Sequence, residues 1–397
     1  MTGVPDVEPL LGSYLARQHW AQAALGSFGE PRLPVSVVDV EVLRTEHPGL
    51  ASVVVECREC TFHLVLGWRP TSLAPGVLGR HSDAVLGAAC DSSGEVLVYD
   101  FLADRELAVW LLEAVTAGAE TAERSRVVTS LVSHSSLVYD ERLFMKCYRV
   151  IEPRPRLEIE VLQRLDAAGF NHMLAPVAHW RRDGRDLALV REYMPGAVEG
   201  LALARTSLRD LLARTWVDPR LTFEDVGVAG GDLGPEMRRL GETTARMHLA
   251  LSTAFPTAAV PEGTAIRVHG DYHLRRVMRA DAGWLIAGFG DDPLLGESAG
   301  AGSLRAPRLA SPLEDVADFC ESLLLAAAAA VELQPASLRT QAERLATGWE
   351  RHNVAAFVRG YVSLPGIASL VPVAAAGADA VLSRVVGGGR GHRSGAG

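Results

Sequence analysis

The spacing of apolar residues changes near residue 200, and that change limits the folds open to this 397-residue chain. Before it, strand-like runs dominate at 35–43, 51–57, 60–67, 95–101, 126–132, 136–139, 142–150, 173–180 and 185–193, with helical periodicity at 9–26, 104–117 and 156–167. Pro195-Gly196 then breaks the pattern, and helical spacing prevails, interrupted by one β-like insert at 266–289. So long a chain does not close around a single core, and the reading is α+β with several domains. The expected divisions are a small α+β cap at 1–103, a mixed sheet with one helix at 104–196, a mainly helical lobe at 197–386 and a disordered glycine-rich tail at 387–397.

Composition narrows the partners. With 48% hydrophobic and 22% charged residues the chain is globular, and a net charge of −9 disfavours nucleic acid and anionic membranes, leaving small molecules. Its start, Met1 to Asp6, has neither the basic nor the apolar segment of a secretion signal. The longest apolar run, Leu323 to Val331, is far below the roughly 20 residues of a spanning helix, so a cytoplasmic protein is expected. Five scattered cysteines suit a reducing compartment. Cys57-Arg58-Glu59-Cys60 reads as a β-hairpin tip rather than half a zinc site, because no second ligand pair stands at matching spacing. Nothing in the sequence separates a monomer from a homodimer.

Of the 39 lysines and arginines only Lys146 is lysine, and it lies in the apolar run Leu143-Phe144-Met145-Lys146-Cys147-Tyr148. A compact, strongly hydrated ammonium in such a run points to a phosphate ligand; compositional drift is the plainer reading of one residue. Twelve residues on, Glu158 falls within the helical stripe of Leu157, Val161, Leu162 and Leu165, where a carboxylate is costly unless paired. A strand lysine paired with a helix glutamate is how kinases hold the α- and β-phosphates of ATP. Glu160, nearer the polar side, is a solvated edge residue or the fallback partner.

Far downstream, His269-Gly270-Asp271-Tyr272-His273 sits between strand-like segments. A loop aspartate in that setting suits the base that takes a hydroxyl proton, with His269 bracing the loop. A hydrolase metal site would need a further His or Cys cluster, which is wanting. Ser311-Pro312-Leu313-Glu314 is a capping box that starts a helix. In its first turn Asp315 either accepts N–H groups of the Asp271 loop or is merely favoured by the helix dipole. Gly296-Glu297-Ser298-Ala299-Gly300 matches a nucleophile elbow, but Pro293 before it and Ala301-Gly302-Ser303 after it deny the required strand and helix.

In this order and spacing the motifs resemble the actinobacterial maltokinases and related glucosamine kinases, aminoglycoside-phosphotransferase-like enzymes with an N-terminal cap. The resemblance spans about residues 9–375 and includes Tyr14 to Trp20, Ser133 to Tyr139, Lys146 with Glu158, Arg191 to Ala197, Leu240 to His248, His269 to His273 and Ser311 to Ala317. It implies a bilobal protein-kinase-like fold hinged near Glu192 to Gly196, with ATP and Mg²⁺ and transfer of the γ-phosphoryl group to a sugar or aminosugar hydroxyl. It further implies Ser133, Ser135 and Ser136 on the phosphates, Glu192 and Met194 at the nucleotide, Asp271 as base, and His273, Trp349 and Glu350 at the acceptor. The chain departs from the family at its C-terminal segment, where Ala378 to Val381 and the glycine tail replace aromatic and charged residues, and at two places that concern metal. Arg276 stands where a metal-holding glutamine is expected, and Gly288-Phe289-Gly290 replaces an Asp-Phe-Glu-like metal motif. Asp291 and Asp292 are the candidate substitutes for metal, and a catalytically degenerate relative that only binds nucleotide or sugar is the alternative reading.

Overall fold

A computed structural model describes residues 4–26, 28–74, 82–130, 134–214, 232–261, 263–289 and 308–389. Ser133, Asp291, Asp292 and Ser298 lie outside the described residues. The chain forms two compact units, one of Met1–Ile159 with Ala175–Pro195, the other of Glu160–Leu174 with Gly196–Gly397.

In the first unit the helical periodicity at 9–26 resolves into α1 (Glu8–Arg17) and α2 (His19–Leu25), because Gln18 is extended and Gly26, left-handed at φ 60°, ends the second. Strands β1 (Ser36–Arg44), β2 (Gly49–Cys57), β3 (Cys60–Pro70), β4 (Val85–Asp91) and β5 (Gly94–Asp100) form an antiparallel sheet in the order β1-β2-β3-β5-β4. β2 and β3 are apolar almost throughout and take the interior of the sheet, whereas edge strand β1 alternates. Cys57 pairs with Cys60 at the β2–β3 turn, and both thiols are free. β4 escaped the sequence reading because Gly87, Ala88 and Ala89 give its centre little β signal.

Asp104 caps α3 (Arg105–Val115), its carboxylate accepting the Glu106 N–H. Next come β6 (Ser125–Ser130), β7 (His134–Tyr139), β8 (Leu143–Tyr148) and β9 (Val150–Ile151), which pairs with β3. α4 (Leu157–Ala167) carries Glu158 near its start, and β10 (Pro176–Arg182) and β11 (Arg185–Glu192) complete a second antiparallel sheet, β10-β11-β8-β7-β6. Leu107, Leu111 and Leu112 of α3 share one core with Leu50 and Val65 of the first sheet and Leu137, Met145 and Val190 of the second. β8 is therefore a central, buried strand, and Lys146 sits in its middle.

The second unit contains β12 (Val198–Glu199), α5 (Gly200–Ala213), α6 (Gly234–Ala254), β13 (Ala258–Val260), β14 (Gly263–Arg267), β15 (Val277–Ala280), β16 (Gly283–Ile286) and β17 (Leu309–Ala310). After these come α7 (Leu313–Glu332), α8 (Arg339–Ser363), α9 (Ile367–Leu370) and α10 (Ala378–Gly389). α10 takes in 387–389, the first residues of the stretch expected as a disordered tail; 390–397 lie outside the described residues. Helices α6 and α8 touch backbone to backbone: a Cβ on Gly241 would lie 2.0 Å from the Phe357 carbonyl oxygen. Small sheets β12-β15-β16 and β13-β14-β17 frame the loop that follows β14. No helix among the described residues is long and apolar enough to cross a membrane.

Candidate active site

Lys146 Nζ lies 2.7 Å from Glu158 Oε2, with the two side chains 3% and 6% exposed. Tyr148, two residues along β8 and so on the same face, donates its hydroxyl to the same oxygen at 3.4 Å. The apolar position of Glu158 is thus answered by a buried partner, as the helical wheel requires. Glu160 goes elsewhere, to Arg164 and Arg267.

Ser136 stands directly across from Lys146 in the β7–β8 register and shares its face. Its Oγ is buried with no hydrogen-bond partner among the described residues. Alternation along a strand sends Ser135 to the opposite face, so the two serines expected together on the phosphates are separated. Ser135 Oγ instead accepts from Arg149 Nε at 2.9 Å. Arg149 pairs with Asp100 at 2.7 Å, and Asp100 accepts the Tyr14 hydroxyl at 2.9 Å. Ser135 is therefore a structural link of the first unit. Glu192 ends β11, where its N–H donates to the Ala175 carbonyl at 2.9 Å, and Met194 follows, half-buried. A groove of about 680 Å³ lined by Trp110, Glu113, Arg124 and Glu141 includes none of these groups.

In the second unit, β14 pairs with β17 so that Ile266 faces Ala310. That register brings the start of α7 beside the loop three residues after Ile266. Asp315 accepts the His269 N–H at 2.8 Å and the Gly270 N–H at 2.9 Å. His248 donates Nε2–H to Asp315 at 3.1 Å and accepts the Tyr361 hydroxyl on Nδ1 at 2.9 Å. Burial alone would raise the Asp315 carboxyl, but the donor from His248 and those of the loop hold it below its ordinary range. Asp315 is thus the anchor of the loop, which resolves the two roles open to it in the sequence. Its helix begins differently from the expected capping box. Ser311 Oγ accepts the Leu313 N–H at 3.3 Å, but Glu314 turns to Arg308 and leaves the reciprocal half unmade.

His269 donates Nε2–H to the Ala287 carbonyl at 3.0 Å, and its Nδ1 faces the Asp271 N–H at 3.4 Å. Burial lowers its pKa, so the ring is a neutral brace. Gly270 turns the loop at φ 83° and leaves Asp271 57% exposed at the tip. There Asp271 Oδ2 accepts from Arg276 Nη2 at 2.5 Å and Nε at 3.0 Å, and Oδ1 lies 3.4 Å from His273 Nε2. Partial burial would raise this carboxyl, but the bonds from His273 and Arg276 hold it well below the usual range. The depression comes from charge and hydrogen bonding, the pattern of an ionised group kept ready.

The same geometry tests the implied Mg²⁺. A Cβ on Gly288 would lie 2.7 Å from Arg276 Cδ and 2.9 Å from its Nη1, so the guanidinium fills the space where a side chain at 288 would project. Gly288 itself has φ 78°. Mg²⁺ requires oxygen donors in near-octahedral array, and a glycine beside a guanidinium supplies none. Among the described residues no group of three or more His, Cys, Asp or Glu side chains is gathered as a metal site. The described loop does not fit the ion.

Of the acceptor candidates, His273 stands beside Asp271. Trp349 is 2% exposed and donates Nε1–H to Ser207 Oγ at 2.9 Å, inside the helical core. It falls on the buried stripe Leu345, Trp349, Asn353, Phe357, whose fourfold spacing reads as core and corrects its expected contact with a ligand. Glu350, next on α8, is half-buried, and burial raises its carboxyl. Sequence reasoning missed Tyr148, Tyr361 and the Arg276–Asp271 bond. Tyr361 lies 46 residues after Asp315 on another helix, and no local pattern links them.

These elements define a mixed α+β fold in which an N-terminal α+β module precedes a second sheet and a mainly helical part. No family model matches the sequence. The chain is similar to the solved structure of a glucosamine kinase in complex with glucosamine, ADP and inorganic phosphate, at 17% identity and a TM-score of 0.56 over 94% of each chain. Crystal form A of glucosamine kinase matches at 16% identity and a TM-score of 0.54, covering 97% of this chain and 95% of that one. At such identity the likeness establishes the fold.

Proposed function

We propose that this protein is an ATP-dependent phosphotransferase whose acceptor is a hydroxyl of a sugar, with an aminosugar as the first candidate. The observation that carries the reading is the loop: Asp315, fixed by His248, takes two successive backbone amides and presents an ionised Asp271. The buried Lys146–Glu158 pair supports it, since a lysine held by a glutamate is suited to the α- and β-phosphates. So does the glucosamine bound to the structural neighbour. In the proposed step the acceptor oxygen attacks the γ-phosphorus and the bond from that phosphorus to the β–γ bridging oxygen breaks. ADP leaves with that oxygen, and the hydroxyl proton passes to the Asp271 carboxylate. Within the first unit Lys146 and Ser136 are suited to nucleotide phosphates, and within the second His273 is suited to orient an acceptor beside Asp271.

One observation favours a second reading, nucleotide or sugar binding without turnover: Arg276 ties up the carboxylate that would take the proton. The test is acceptor-dependent ADP release over a panel of sugars, with Mg²⁺ and with chelator. Release with glucosamine or a related sugar, reduced by roughly 10² to 10⁴ in Asp271→Asn, is expected. Nucleotide binding with no acceptor-dependent release under either condition would replace this reading with the second.

A further inference from the structure

Arg276 and Gly288 are a matched pair, and their match has a chemical meaning. The β15–β16 hairpin sets Val277 opposite Ile286, and the backbone continues the pairing, the Ala287 N–H donating to the Arg276 carbonyl at 2.8 Å. Gly288 is the next residue. The Arg276 N–H is also held, donating to the His273 carbonyl at 2.8 Å. The stem of Arg276 thus leaves a fixed backbone, its side chain is 12% exposed, and its guanidinium lies over Gly288 and against Asp271. A Cβ at 288 would meet the end of that side chain, so Arg276 can hold this position undisturbed only beside glycine.

From this geometry we infer that Arg276 is a built-in cation, and that the loop takes a polyphosphate ligand without a divalent metal ion. The inference rests on the phosphotransferase-type reading for the ligand's identity as a nucleotide. A guanidinium carries a permanent positive charge and planar donors suited to phosphate oxygens, and arginine supplies charge to transferring phosphoryl groups elsewhere. Here the cation belongs to the chain itself and is bonded directly to Asp271. Among the described residues metal-free ATP is therefore the form that fits: its phosphates meet Arg276 directly, and Asp271, neutralised by the same guanidinium, does not repel them.

Calorimetric titration of the full chain with ATP tests this, once with excess EDTA and once with Mg²⁺. The expected result is binding in EDTA at least as tight as in Mg²⁺. In Arg276→Gln the EDTA affinity falls roughly tenfold or more, the loss expected of a charge-assisted bond. The double variant R276Q/G288D, which offers an amide and a carboxylate oxygen at the same spot, binds ATP only when Mg²⁺ is present. Wild-type binding that needs Mg²⁺ overturns the inference and leaves the phosphotransferase reading standing. Unchanged EDTA affinity in Arg276→Gln overturns it too. Absence of ATP binding under both conditions overturns the inference together with that reading. Thermal unfolding of the two variants without ligand separates misfolding from loss of the cation, and should a variant unfold, Arg276→Lys, which keeps the charge and loses the fork, must lose affinity in its place.

Discussion

Two cation–carboxylate pairs differ in where the protein keeps them. Lys146 and Glu158 are sealed from water, 3% and 6% exposed, and a phenol also serves the carboxylate. Arg276 and Asp271 meet at a loop tip where the arginine is 12% exposed but the aspartate 57%, so the pair is open on its carboxylate side. A sealed pair has large terms on both sides, desolvation against mutual attraction, so losing one member is severe. An open pair is screened, contributes little to stability, and is easily exchanged for another partner. The first is architecture that positions a charge; the second is a contact that a ligand can compete for.

The sharpest way to break this contrast is Lys146→Ala. It leaves Glu158 buried without its cation and should lower the unfolding free energy by about 3–5 kcal/mol, read from urea denaturation. A loss below ~1 kcal/mol would place the pair with the open class. Asp315→Ala should cost ~3–4 kcal/mol, since two amides and His248 lose their acceptor at once. Faster hydrogen exchange at the His269 and Gly270 amides is its local signature.

Acid should act on the two units in different windows. His63 is buried between the Ser52 hydroxyl and the Tyr148 carbonyl, and desolvation lowers its pKa to about 3. The unfolded chain then binds a proton that the folded one does not, so stability falls as pH drops from about 6.5 towards 3, by ~2–3 kcal/mol at pH 4.5. His63→Gln should flatten that limb of a thermal melt series. Asp315, depressed, contributes stability that is complete above about 4 and lost only as pH falls through its lower folded value. The smallest effect belongs to Arg276→Gln, under about 1 kcal/mol in stability. The Asp271 carboxyl should rise towards its ordinary range in the same variant, visible as a shifted carbon resonance on titration.

The fold was legible from the sequence where periodicity and motif agreed. The change of spacing near residue 200 announced a sheet-rich part and a helical part, and the Lys146–Glu158 pair followed from a carboxylate in an apolar stripe. The loop anchor at Asp315 was legible only as one of two roles, because which groups face an aspartate in a first helical turn depends on β14–β17 register. Ser135 was misjudged because a serine cluster was read as one group, although strand alternation divides it. Trp349 was misjudged because an aromatic on a helix reads equally as core or contact until its neighbours are known. Arg276 could be seen as a departure, but its bond to Asp271 and its fit to Gly288 depend on a hairpin that no local pattern specifies.

The link from Tyr14 through Asp100 and Arg149 to Ser135 bears on how this molecule is to be handled at the bench. Its members come from the first helix, the end of β5, the residue after β8 and strand β7, so the extreme N-terminal segment is wired to the strand bearing Ser136. Trimming the chain to a shorter fragment by cutting before residue 30 would strip the phenol from a buried carboxylate and open the sheet beneath it. The N-terminal segment is not a detachable accessory, and crystallisation or display formats should keep it intact.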